Sequence, residues 1–101
     1  MIPYGKQCID EEDIQSVVDV LRSDWLTTGP TIEHFEKAFA DFVRAKYAVA
    51  VNSGTAALHA AMFALGIGPE DEVIVPAMPF AATANCVVFQ GGTPVFADVD
   101  P

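Results

Sequence analysis

Three short stretches of this chain combine residue types that could bind and position a reactive ligand. The first is Asn52-Ser53-Gly54-Thr55-Ala56-Ala57-Leu58, between a β-prone run and a helical one. At a helix start the first backbone N–H groups lack intrahelical acceptors and the helix dipole is positive, which suits an anion such as phosphate. Gly54 would let such a ligand approach the backbone, and the Ser53 and Thr55 hydroxyls add donors. The same residues equally fit a plain N-cap, with Ser53 or Thr55 accepting from a first-turn amide. They match neither the P-loop nor the Gly-x-Gly-x-x-Gly fingerprint. The second stretch is Pro76-Ala77-Met78-Pro79-Phe80-Ala81-Ala82-Thr83, where Phe80 could stack on a planar cofactor or simply be a core ring under a loop. The third is Trp25-Leu26-Thr27-Thr28-Gly29-Pro30. Its hydroxyls beside an aromatic suit a sugar-like ligand, or else a packed loop ahead of a helix.

His34 and His59 have no second His, Cys or acid at metal spacing and are expected to be structural or surface residues. No metal site is expected. Neither a Ser-His-Asp order nor a general acid–base pair can be assigned. The acidic residues fall at helix starts and on polar faces, where solvation is the default role.

The elements that must hold these stretches follow from periodicity. Ile14, Val17, Val18 and Leu21 mark one face of a helix from Asp10 to Arg22, with Asp10 as its N-cap and acids in its first turn. A second amphipathic helix is expected from about Thr31 to Ala45, with Ile32, Phe35, Phe39, Phe42 and Val43 on one face. Tyr47 to Val51 is short, apolar and β-prone, and is predicted to be a buried strand. Thr55 to Leu65 predicts a helix apolar nearly all round, with Gly66 as its C′ residue. Glu72 to Val75 predicts a second strand, Ala81 to Phe89 a helix and Pro94 to Ala97 a third strand. The expected order is two helices and then β-α-β-α-β, which implies parallel strands joined by right-handed crossovers.

The 101 residues carry Lys+Arg 5 against Asp+Glu 14, a formal net charge of −9, and are 51% hydrophobic. That is globular composition with room for one core, and too acidic for non-specific nucleic-acid binding. No run approaches the roughly 18–20 apolar residues of a membrane span, and the N-terminus has no signal-peptide core. Cys8 and Cys86 are expected to be free thiols of a cytoplasmic protein. The last residues follow a strand with no closing helix, so the chain is expected to stop within a domain.

In their order along the chain, these stretches resemble the opening of the DegT/DnrJ/StrS family of pyridoxal 5'-phosphate (PLP) dependent nucleotide-sugar aminotransferases. The resemblance rests on S-D-W-L-T-T-G-P (residues 23–30), Phe35-Glu36, Y-A-V-A-V-N-S-G-T-A-A-L (47–58), G-P-E-D-E-V-I-V-P (68–76) and T-P-V-F-A-D-V-D-P (93–101). Ile2 to Gln7 with Glu12-Asp13-Ile14 resembles most the PseC-like branch, which makes UDP-4-amino-4,6-dideoxy-N-acetyl-β-L-altrosamine on the route to pseudaminic acid.

The resemblance implies an α/β fold: the N-terminal part of the fold type I, aspartate aminotransferase-like large domain. Residues 1–45 would form a helical segment with the substrate loop, and 46–101 the start of that domain, left incomplete. Ser53, Gly54, Thr55 and Ala56 would hold the cofactor phosphate, and Phe80 would stack on the pyridine ring. Tyr4 and the loop Asp24, Trp25, Leu26 and Thr27 would lie along the UDP-sugar site. Pro79 departs from the family, which usually has Thr or Ser before the aromatic, and this puts hydroxyl contacts there in doubt. The amino donor would be an amino acid, glutamate by preference, and the protein a homodimer in the cytoplasm. The Schiff-base lysine would lie downstream, since Lys6, Lys37 and Lys46 are not in its context, so the 101 residues alone are expected to be inactive and poorly self-sufficient. Two other readings compete: a non-catalytic binding or regulatory module of the same fold, and a generic α/β nucleotide-binding domain.

Overall fold

A computed structural model describes residues 5–98 and 100. The chain divides into two compact units, Met1–Ala50 and Val51–Pro101.

The first unit contains helices α1 (Glu11–Arg22) and α2 (Pro30–Val43). Asp10 starts α1 with a capping box. Its Oδ1 accepts the Asp13 N–H at 3.0 Å, and Asp13 Oδ2 accepts the Asp10 N–H at 3.1 Å. The acids Glu11, Glu12 and Asp13 then sit at the positive end of the helix. Helix α2 opens with Gly29 as N-cap and Pro30 in its first turn, where a missing N–H leaves no hydrogen bond unmade. It ends two residues earlier than the apolar period suggests, because Arg44 turns left-handed at φ +57°. The Ala45 N–H reaches the Ala40 carbonyl at 2.9 Å and the Arg44 N–H that of Asp41 at 3.2 Å. This is a Schellman ending built without glycine.

Tyr47 to Val51, expected to be a buried strand, is neither a strand nor buried. Tyr47 is 75% exposed and Val49 80%. A strand is a property of a pair, and among the described residues no other segment forms a ladder with this one. The observed order is therefore α-α-α-β-α-β, without the first strand of the expected alternation.

The second unit holds α3 (Gly54–Ala64), β1 (Glu72–Pro76), α4 (Ala81–Phe89) and β2 (Thr93–Ala97). The two strands pair in parallel, Glu72 with Thr93 through Pro76 with Ala97. Helix α4 connects them and packs on both, as well as on α3. Both α3 and α4 end in Schellman motifs that use glycine. Gly66 (φ +75°) and Gly91 (φ +83°) take the left-handed position, and Ile67 and Gly92 donate back to Met62 and Val87. The core of the unit is Val75, Cys86 and Val87, with Met62, Ile67 and Val73 packed against it. Val73 and Val75 turn inward from β1, while Ile74 between them faces out. No helix among the described residues is long and apolar enough to cross a membrane.

Candidate functional site

The start of α3 is arranged as a capped but open helix end. Ser53 has extended backbone, and its Oγ accepts the Ala56 N–H at 3.1 Å, so the capping role is realised. The first backbone bond of the helix runs from the Ala57 N–H to the Ser53 carbonyl at 3.1 Å. The Gly54 and Thr55 amides precede it and stand at the helix's positive end. Ser53, Gly54 and Thr55 are exposed and Ala56 is half-buried. A Cβ built on Gly54 would meet no protein atom within 4 Å, and its φ lies outside the left-handed region. Neither packing nor backbone strain requires glycine here. The open ground in front of these amides fits a phosphate group, which a side chain at position 54 would crowd.

Phe80 is the N-cap of α4, with its carbonyl accepting the Thr83 N–H at 2.9 Å. Its ring is 81% exposed, so it is not the core residue that a lone Phe under a loop would most often be. A bare aromatic face in the same unit as the α3 start fits a planar ring beside a phosphate. An exposed helix start and an exposed aromatic ring are the kinds of group that a phosphate and a planar ring such as those of PLP would use.

The loop of Asp24, Trp25, Leu26 and Thr27 belongs to the first unit and is exposed. The Ser23 Oγ donates to the Val20 carbonyl at 2.8 Å and accepts the Trp25 N–H at 3.2 Å, which ends α1 and turns the chain. Thr28 (φ +60°) and Gly29 (φ +111°) are both left-handed, and the Gly29 backbone lies against Trp25. A Cβ on Gly29 would come within 2.8 Å of Trp25 Cβ. The loop thus has the packed character that its sequence also allowed, while Trp25 and Leu26 keep large exposed surfaces. Tyr4 lies outside the described residues. His59 meets Phe89 edge to face at 5.3 Å, a packing role.

Glu36 was not singled out from its residue type. It sits one place past Phe35 of the apolar stripe of α2 and is partly buried. Its Oε1 accepts the Ala50 N–H at 2.7 Å. An acid beside an apolar stripe was the signal that could have marked it.

Among known proteins, the chain is 54% identical over 99 residues to the spore coat polysaccharide biosynthesis protein SpsC of Bacillus subtilis (strain 168), covering 98% of this chain and 25% of the relative. It is 46% identical over 99 residues to the UDP-4-amino-4-deoxy-L-arabinose–oxoglutarate aminotransferase of Shewanella sediminis, covering 98% and 26%. The PLP form of Spr1654 from Streptococcus pneumoniae superposes with a TM-score of 0.88 at 41% identity, over 98% of this chain and 25% of that one. The same protein is solved in a PMP form. The chain thus spans about a quarter of the length of the relatives it matches. Its α/β fold is that of the PLP-dependent sugar aminotransferases. Residues 7–101 match the family profile, and the chain belongs to the DegT/DnrJ/EryC1/StrS aminotransferase family.

Proposed function

We propose that the intact protein is a PLP-dependent transaminase that moves an amino group from glutamate onto a 4-keto-6-deoxy UDP-sugar. The observation that carries the reading is the start of α3, where the exposed residues Gly54 and Thr55 stand at a helix's positive end and a Cβ on Gly54 would meet no protein atom within 4 Å. Their backbone amides and the Thr55 hydroxyl hold the cofactor phosphate, and the exposed Phe80 ring covers the pyridine. PLP, when bound, supplies the electron sink that lets an amino group leave one carbon and reach another. The family resemblance assigns Tyr4 and Asp24 to Thr27 to binding of the sugar nucleotide.

Support for the substrates comes from the relative whose name joins a UDP-linked 4-amino sugar to oxoglutarate, the keto acid of glutamate. The SpsC relative is named for polysaccharide biosynthesis. The opening residues 2–7 and 12–14 support the finer assignment, formation of UDP-4-amino-4,6-dideoxy-N-acetyl-β-L-altrosamine for pseudaminic acid. We place the protein in the cytoplasm as a homodimer, and both of its thiols, Cys8 and Cys86, are free in keeping with a reducing compartment. On this reading the 101 residues alone are inactive, because none of Lys6, Lys37 and Lys46 stands in the context of the Schiff-base lysine.

The test is the visible absorbance of the purified intact protein in PLP-replete buffer, before and after borohydride. A cofactor band that borohydride bleaches is expected, and no band overturns the proposal. Mass analysis of products from glutamate and the 4-keto UDP-sugar then decides the substrate assignment.

A further inference from the structure

We infer that Ser23 and Gly29 are positioning residues for Trp25, which they hold in one place for the sugar nucleotide. The inference rests on the reading of Asp24 to Thr27 as part of that site. Every group it uses lies between residues 20 and 30, within the first unit.

Thr28 shows that the loop is built to a definite shape. A β-branched residue at φ +60° is a backbone outlier, and such conformations persist only where the surroundings over-determine them. Trp25 is held from two sides. At its backbone, the Ser23 Oγ accepts the Trp25 N–H at 3.2 Å and donates to the Val20 carbonyl at 2.8 Å, which ties Trp25 to the end of α1. At its side chain lies Gly29, with a left-handed φ of +111°, where an added Cβ would stand 2.8 Å from Trp25 Cβ. Both Cβ atoms are fixed to their backbones, so no change of rotamer relieves that contact. Position 29 has little room to retreat, because it is the N-cap of α2 and precedes Pro30, whose ring fixes its own φ. The part that yields is the loop, and Trp25 moves with it. An indole on a backbone fixed in this way meets a ligand with little ordering left to do.

The experiment uses the intact protein loaded with PLP and follows two reactions. One is the steady-state reaction with the 4-keto UDP-sugar. The other is the glutamate half-reaction without the sugar, read as conversion of the PLP absorbance to that of PMP. Gly29→Ala is expected to raise the KM for the sugar about tenfold or more, since a displacement on the order of 1 Å suffices for that. Ser23→Ala removes a net hydrogen bond and is expected to raise it about three- to tenfold. Ser23→Thr keeps the hydroxyl and is expected to stay within about twofold of wild type. In all three, kcat and the half-reaction should stay within about twofold, the pattern of lost substrate binding and not of general damage. Ser23→Ala adds no atom, and it decides the matter alone if Gly29→Ala does not fold. A rise in KM below about threefold in Ser23→Ala or in folded Gly29→Ala overturns the inference. So does an equal loss in the half-reaction, or a Ser23→Thr variant as impaired as Ser23→Ala. Trp25→Ala separates this from the reading beneath it. An unchanged KM there refutes the placement of the loop at the sugar nucleotide, whereas a raised KM there with none in the other variants refutes the positioning alone.

Discussion

Gly92 stands where α4 turns into β2, and it is buried. A Cβ built there would lie 2.8 Å from Ile67 Cγ2, 3.1 Å from Val87 Cγ1 and 3.3 Å from the Asp71 carbonyl oxygen. None of the three has an easy retreat. Val87 is 1% exposed, and Ile67 packs on the same cluster. The Asp71 oxygen accepts the Thr93 N–H at 2.9 Å, beside the start of the parallel ladder. Gly92→Ala is therefore expected to overpack the core, at about 1–3 kcal/mol, and to strain one backbone bond worth about 0.5–1.5 kcal/mol net. Together these come to about 1.5–4.5 kcal/mol of local stability.

Gly66→Ala is the control, since its Cβ meets open space and only the left-handed φ of +75° resists it. That should cost about 1 kcal/mol. Amide exchange of the intact apoprotein, read over residues 87–95, reports the difference. At 1.4 kcal/mol per decade, Gly92→Ala should speed exchange there about 10- to 1,600-fold, beyond Gly66→Ala. Exchange in that segment within about threefold of wild type, or equal in the two variants, refutes the packing argument.

Three further outcomes are expected. Gly54→Val should fold, because its side chain points into open space, yet weaken PLP binding more than Thr55→Ser in a parallel titration, and equal small effects would favour mere capping. Phe80→Ala should leave the unfolding free energy from urea titration within about 0.5 kcal/mol of wild type, because the residue is exposed, while lowering PLP affinity; loss of stability without loss of affinity would make Phe80 structural. Asp10→Ala removes the Asp10 side-chain half of the capping box, leaving its backbone N–H to Asp13, and should destabilise α1 by about 1 kcal/mol, seen as faster amide exchange confined to that helix; no change would show the cap to be idle.

Much of the molecule was legible from local chemistry. Asp10 and Ser53 marked helix starts because a short polar side chain can accept from a first-turn amide, and each does so. Gly66 marked a helix end because only glycine takes the left-handed position without strain, and the helix from Ala81 to Phe89 lies where its residues put it. These features depend on residues within one turn of one another. The boundary at Arg44 was not legible in this way, since a non-glycine residue occupies the left-handed position there and the apolar period runs on past it.

Tyr47 to Val51 has every local mark of a strand, but strand formation needs a hydrogen-bonded neighbour, and composition cannot supply one. The exposure of Phe80 and the bond from Glu36 to Ala50 are likewise tertiary facts. A ring at a loop has the same sequence whether it is covered or bare. A carboxylate's place beside an apolar stripe marks it as unusual, but not which group fourteen residues away it binds. Helix ends that capping decides, and the family's order of motifs, could be read from residue types alone. Which groups pair and which stay exposed came only with the folded chain, because those properties belong to distances between segments and not to the segments themselves.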